Sequence, residues 1–249
     1  MNVLVRRHSH SALERPLQRT ASAPTYSPYP VPSPAPARSA SVRSDRNRSF
    51  TDVTLVARPE YIWEGYCLPG PLVPQQQYTP HTASDRRRYV EQAELRPPIY
   101  FKRVEPVELG ISLVDCLAQR FKRLQGYDDE LLQDAGPSIS IRLNWEGYDP
   151  WSRQIPTRNF KVPQGPITRK VLAKNIAKTV QRFIDEHIDR QLPPNSNPAW
   201  QVGPGRIEFN DVVLLSIHHV SRGSWQANLC LNQPLETILS KSMQSAYHT

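Results

Sequence analysis

No lysine occurs before Lys102, and the first fifty residues hold only two acids, Glu14 and Asp45, against eight arginines. Acids and apolar residues at that density cannot support a packed core, so this stretch is expected to be a disordered arm. Long apolar runs are also missing. The longest, residues 212–215, falls far short of the roughly 20 residues a membrane-spanning helix requires, so no span is expected. Cysteine is scarce: Cys67, Cys116 and Cys230 are odd in number and far apart. That excludes a disulfide framework and favours a reducing compartment. Neither Cys-x-x-Cys, His-Glu-x-x-His, a P-loop nor Gly-x-Ser-x-Gly occurs, which removes the common metal, nucleotide and nucleophile signatures. No cofactor and no metal is expected, and no catalytic residue is assigned.

What is present divides the chain near residue 100. The whole carries 25 prolines, 38% hydrophobic residues and a formal charge of +8, too polar for one globule of this length. Residues 1–50 form the Arg/Ser/Pro-rich arm, 51–100 a mostly irregular linker with possible docking segments, and 101–249 a single α+β domain. The alternating prolines at 28, 30, 32, 34 and 36 have fixed φ and few donors, which makes a stiff extended spacer. Arg19 stands three residues before Ser22, and Arg38…Ser41 and Arg46…Ser49 repeat that spacing. The pattern resembles basophilic kinase sites, and phosphorylated Ser22 resembles a ligand for a phosphoserine adaptor; each phosphate adds close to two negative charges beside guanidiniums. The expected compartment is intracellular, cytoplasmic or nuclear. The Arg/Ser-rich, acid-poor start also matches a mitochondrial transit peptide, the minority reading. Within the linker, residues 52–57 read as a short strand, and Trp63-Glu-Gly-Tyr66 reappears as Trp145-Glu-Gly-Tyr148.

In the domain, apolar spacing predicts a helix over residues 112–124, opened by Ser112 and Asp115 in a capping-box-like start. Residues 138–145 alternate, with Ile139, Ile141, Leu143 and Trp145 on one face, and 151–157 return as an edge strand. A second helix runs from an N-cap at Thr168 to about residue 189, with Leu172, Ile176, Val180, Phe183 and Ile184 as its apolar stripe. Strands at 207–219 and 225–231 flank a hairpin turn, and residues 235–241 add a short helix. The order α-β-β-α-β-β suggests an antiparallel four-stranded sheet with two helices on one face.

Two patterns carry functional content. Lys170, Lys174, Lys178 and Arg182 follow an i+4 stripe on the second helix, with Arg169 at its start and Asp185, Glu186 and Asp189 at its end. That polarity opposes the helix dipole. A row of bases with free helix N–H groups would suit an anion, whereas the plainer reading of the same stripe is a solvated face neutralised by Asp128, Asp129 and Glu130. The second pattern is Tyr148, Trp151, Arg153 and Arg158. Aromatics flanking a turn can serve recognition, and arginines can pair carboxylate or phosphate, while packing remains the plainer use of both rings. His218 and His219, adjacent in a strand, point to opposite faces and cannot share a metal.

The stretch Trp-x-Gly-Tyr-x-x-Trp-x-Arg-Gln-Ile-x-Thr-Arg, with the following Pro-Ile-Thr and Leu-Ala-Lys-Asn-Ile-Ala-Lys segments, resembles a family of uncharacterised proteins from mushroom-forming, basidiomycete fungi. The resemblance covers about residues 108–190 and implies a fungal source, with no activity or site residues to carry over. The expected function is therefore a non-catalytic interaction or regulatory protein. Its arm would be phospho-regulated and its domain would bind a protein or anionic partner. Nucleic-acid binding through the basic face of the second helix is the alternative, and an enzyme of unrecognised type gathering Asp128, His218, Cys230 and Arg153 comes third.

Overall fold

Residues 68–159 and 164–246 are described by the structure, a computed structural model. The arm with Ser22, Ser41 and Ser49, the strand expected at 52–57 and the tetrapeptide at 63–66 lie outside the described residues. Thr82 caps α1 (Ala83–Arg86) by accepting from the Asp85 N–H at 3.0 Å, and a π-helical turn (Arg87–Glu91) follows. Short strands β1 (Ile99–Tyr100), β2 (Lys102–Arg103), β3 (Glu108–Leu109) and β4 (Ile111–Ser112) precede α2 (Leu113–Leu117). Then come β5 (Glu130–Leu131), β6 (Ser138–Leu143), β7 (Trp151–Pro156), β8 (Arg158–Asn159), β9 (Gly165–Thr168) and α3 (Arg169–His187). The chain finishes with β10 (Val212–Ser221), β11 (Ser224–Leu231) and α4 (Leu235–Ala246). The mixture is α+β, as the sequence implies. Among the described residues no helix is long and apolar enough to cross a membrane.

The hairpin β10–β11 is the centre of the sheet. Its turn is Arg222-Gly223, with Gly223 at φ +77 where a side chain would be strained. The outer side of β10 is occupied by β1 and β4, and β6 and β7 lie beyond β11. With β10 already taken, β6 pairs with β11 instead, and that pair is parallel. This corrects the all-antiparallel expectation: local alternation identifies a strand but does not choose its neighbour. The parallel ladder registers only Ser224, Trp225 and Gln226 against Ser140, Ile141 and Arg142.

Past those pairs, residues 71–75 fill the space between the two strands. Leu72 bridges Cys230, the Val73 N–H donates to the Leu229 carbonyl at 2.9 Å, and the Leu231 N–H donates to the Pro71 carbonyl at 2.9 Å. On the other side Gln75 bridges Trp145, and the Glu146 N–H donates to the Pro74 carbonyl at 3.1 Å. Proline has no donor to give, and here both prolines contribute only acceptors. Residues 71–75 thus belong to the sheet, and β1 at 99–100 does too. The sheet therefore draws on segments within the stretch 51–100, where docking segments are expected, and extends upstream of residue 101.

Both faces of the hairpin are buried. The front face, with Leu214, Ile217, Trp225 and Leu229, packs in one core with Leu172, Ile176, Val180 and Phe183 of α3 and with Leu113 and Cys116 of α2. The rear face carries Val213, Leu215 and Cys230 under Leu68, Leu72, Leu109 and Tyr100, together with the polar residues Ser216, Gln226 and Asn228. A register shift between Leu214 and Ser216 leaves Leu215 unpaired and sets Leu215 and Ser216 in succession on the rear, in β-bulge fashion.

The first helix is shorter than its apolar spacing predicts. Ser112 caps it by accepting from the Val114 N–H at 3.2 Å, but α2 ends at Leu117 and Gln119 takes φ +57. Phe121 and Leu124 remain buried from an irregular loop, 8% and 2% exposed, so the spacing reported burial rather than helix. The final helix is longer than expected, reaching Ala246.

Candidate anion-binding surface

The helix stripe dissolves into individual fates once its neighbours are in place. The backbone N–H groups of Arg169 and Lys170 donate to the carbonyls of Asp129 and Tyr127, both at 2.9 Å. Two of the free N-terminal amides expected for an anion are therefore satisfied by the preceding acidic link, which corrects the reading at those positions. Thr168 stands at the N-cap without a side-chain cap bond. The Arg169 guanidinium donates to the Tyr100 carbonyl at 2.8 Å and the Gly126 carbonyl at 3.2 Å, and pairs with Asp129 at 3.4 Å. It is a structural clamp. Lys170 pairs with Asp128 and lies 5.4 Å over the Tyr127 ring. Arg182 pairs with Glu186 one turn on, at 2.5 Å. Of the stripe, only Lys174 and Lys178 have no carboxylate partner among the described residues.

The aromatic motif turns inward. Tyr148 is 9% exposed, and its oxygen accepts from the Val202 N–H at 2.9 Å. Burial raises its pKa, partly offset by that bond. Its ring meets Phe183 and His187 edge-on at 5.5 and 5.2 Å, and Trp145 stacks on Phe183 at 5.8 Å. Trp151 packs edge-on against Phe183 and donates from Nε1 to Glu186 at 2.9 Å. Arg182 first, and then that indole, hold the Glu186 carboxyl below its usual range. Neither Tyr148 nor Trp151 is a free recognition ring. Arg153 on β7 and Arg158 on β8 are exposed and have no acidic partner among the described residues.

The third reading does not assemble. Asp128 is held by Lys170 at the start of α3. His218 faces the rear, its Nε2 3.1 Å from the Ser216 oxygen and its ring edge-on to Tyr100 at 6.2 Å, and burial lowers its pKa to about 4. His219 faces the front, stacked on Trp225 at 4.6 Å. Burial pushes Cys116 and Cys230 up to about 12, far from a reactive thiolate. Among the described residues no three potential ligands form a metal group.

What the structure does bring together is a basic surface that the stripe only touches. One groove of about 440 Å³ has Ile111 and Leu124 at its base, with Arg103, Arg120, Lys122, Arg123 and Asp115 around it. A second, of about 280 Å³, is bordered by Phe121, Tyr127, Val171, Lys122, Lys170 and Lys174. Gln119 and Lys122 line both. Arg103 is paired with Glu108 at 3.1 Å and Arg120 with Asp115 at 2.7 Å, but Lys122, Arg123 and Lys174 have no carboxylate partner among the described residues. Lys122 and Arg123 do not stand out in the sequence because their spacing places them inside the helix expected through residue 124. The usable signal is electrostatic: the acids of residues 128–130 suffice for Arg169 and Lys170 and leave the neighbouring bases over.

A second basic spot lies outside the two grooves. Arg86, Arg87 and Arg88 are exposed on α1 and the π-helical turn, and the Arg222 N–H of the hairpin turn donates to the Tyr89 carbonyl at 2.8 Å. Comparison with protein-family models, curated proteins and solved structures finds no match, so the reading of these surfaces rests on their own geometry.

Proposed function

We propose that this chain is a non-catalytic interaction module whose folded part takes an anionic protein partner at the paired basic grooves. The observation that carries the reading is the set of bases without carboxylate partners, Lys122, Arg123 and Lys174, on the rims of two adjoining concavities. Rim charges without internal partners favour association with the opposite charge and speed encounter. The arginine-rich arm adds attraction for the same acidic partner. Phosphorylation at Ser22, Ser41 or Ser49 would cancel close to two charges per site and weaken it.

The test is fluorescence anisotropy of a labelled oligoglutamate peptide titrated with the full chain. K122E/K174E is expected to abolish most binding. R153E/R158E changes net charge by the same amount at exposed bases elsewhere and is expected to leave it intact. Equal loss in both variants would sink the site and leave only bulk charge. A nucleic-acid reading is favoured by one separate observation, the cluster Arg86, Arg87, Arg88 and Arg222. It expects oligonucleotide binding with a steep salt slope that R86A/R87A/R88A flattens and K122E/K174E does not.

A further inference from the structure

The two grooves have a feature that a purely electrostatic surface lacks, an apolar base. Leu124 and Ile111, each 2% exposed, lie at the bottom of the larger one, and Phe121, Val171 and the 40% exposed Tyr127 border the smaller. The two meet at Gln119 and Lys122, because α2 stops at Leu117 and the chain turns at Gln119, φ +57, rather than continuing as helix. The loop after that turn is held as a wall. The Val104 N–H donates to the Arg123 carbonyl and the Gln125 N–H to the Lys102 carbonyl, both at 2.8 Å, so residues 123–125 pair along β2. Beyond Arg103, the hairpin joining β2 to β3 exposes Val104 (39%) and Val107 (73%).

We infer that the occupant of this double groove is an extended segment of a partner protein in which acidic and apolar side chains alternate. The inference rests on the proposed function and specifies its partner. In an extended strand successive side chains point to opposite sides at about 3.3 Å per residue. One set of apolar side chains can then enter the two concavities while the acids between them reach Lys122, Arg123 and Lys174 on the rims. Neither half of that chemistry suffices alone. A purely acidic segment pairs the bases but leaves the exposed Tyr127 and the half-buried Val171 wet, and nucleic-acid phosphate does the same. A purely apolar segment covers the base and leaves three cations desolvated beside it, a costly arrangement. The arm of this chain is excluded as the occupant by its own charge, eight arginines against two acids in residues 1–50.

The experiment compares two labelled peptides of equal length and equal charge on the full chain. One alternates glutamate with leucine and valine, and the other alternates glutamate with serine and glycine. The alternating acidic–apolar peptide is expected to bind at least about tenfold tighter. Tyr127→Ser, which removes an exposed apolar wall without opening the core, should reduce that advantage to about threefold or less, and K122E/K174E should weaken both peptides. R153E/R158E should change neither. Equal affinity of the two peptides, with K122E/K174E still weakening both, overturns the amphipathic occupant and leaves the anionic site standing. Binding that K122E/K174E does not affect, or no binding of either peptide, overturns both. An oligonucleotide that displaces the acidic–apolar peptide from the wild type but not through Lys122 and Lys174 also counts against the inference, because it places the anion elsewhere.

Discussion

The front and rear faces of the β10–β11 hairpin are both buried, but they are covered by different chemistry. On the front, Leu214, Ile217, Trp225 and Leu229 meet the apolar stripe of a 19-residue helix, and the cover is packing. On the rear, Ser216, Gln226 and Asn228 lie beside Val213 and Cys230, and the upstream chain at residues 76–78 is hydrogen-bonded to that polar row. The Gln226 amide makes two of these bonds, its oxygen accepting from the Tyr78 N–H and its nitrogen donating to the Gln76 carbonyl, both at 2.8 Å. A front face of this kind tolerates exchange among apolar residues of similar volume, whereas a rear face of this kind depends on each polar partner being present.

The strongest test of that difference removes the upstream part of the cover. A fragment of residues 101–249 keeps α3 and Leu109 but loses residues 71–78 and β1, with Leu72 and Tyr100 of the rear cluster and Val73 and Ile99 of the front core. It is expected to show no cooperative thermal unfolding and to aggregate, because β11 and β6 would expose unpaired edges. A fragment that melts cooperatively near the full chain's Tm would show that the front face suffices.

On the front itself, Phe183→Ala opens the cluster of Trp145, Tyr148, Trp151 and His187 around a fully buried ring. The expected loss is about 3–5 kcal/mol in urea unfolding. A loss below about 1 kcal/mol would mean the aromatic cluster is not a core.

The rear face should be the more pH-sensitive one, because burial lowers His218 there further than burial and Arg96 lower His219 on the front. His218 has a folded pKa of about 4 against an ordinary 6.5, because burial disfavours its charged form. Between those values the unfolded chain binds the extra proton. Stability is therefore full above pH 6.5, falls as the pH drops toward 4, and levels off below. The expected loss is about 2–3 kcal/mol. Subtracting the profile of His218→Gln isolates it from carboxylate titration, and superimposable profiles would remove His218 as the cause.

The smallest effect distinguishes bonding from packing. The Gln75 amide donates to the Ala227 carbonyl at 2.7 Å and accepts from the Asn144 N–H at 3.0 Å, and the residue is 3% exposed. Gln75→Leu keeps the volume and removes both bonds, for an expected cost of about 1–2 kcal/mol. A neutral outcome would mean that the rear, like the front, is held by apolar contact.

The same contrast explains which parts of the fold were legible in the chain. The alternation of Ile139, Ile141 and Leu143 and the stripe from Leu172 to Ile184 are periodic signals of one-sided burial, and the corresponding elements stand where they point. Residues 71–75 give no such signal. Two prolines and the first of three consecutive glutamines look like linker, although their carbonyls and the Gln75 amide do the pairing. The parallel partner of β6 was equally hidden, since it depends on which edge of the hairpin is free. At the basic surface, Lys174 and Lys178 were legible as bases. That Arg169 is a clamp, that Lys170 and Arg182 are neutralised, and that Lys122 and Arg123 are the bases left over depends on how the loop after α2 turns. No spacing rule contains that.

The placement of residues 71–75 also sets an order in time. Gln75 bonds Ala227 across 152 positions of chain. At about 5–20 residues per second of synthesis, the segment waits roughly 8–30 s for its partner to be made. The earliest described part of this sheet to leave the ribosome thus waits for the last strand of the sheet to be made. Until then β11 and β6 stand open beyond their three shared pairs, and the growing chain is exposed to stray strand pairing there.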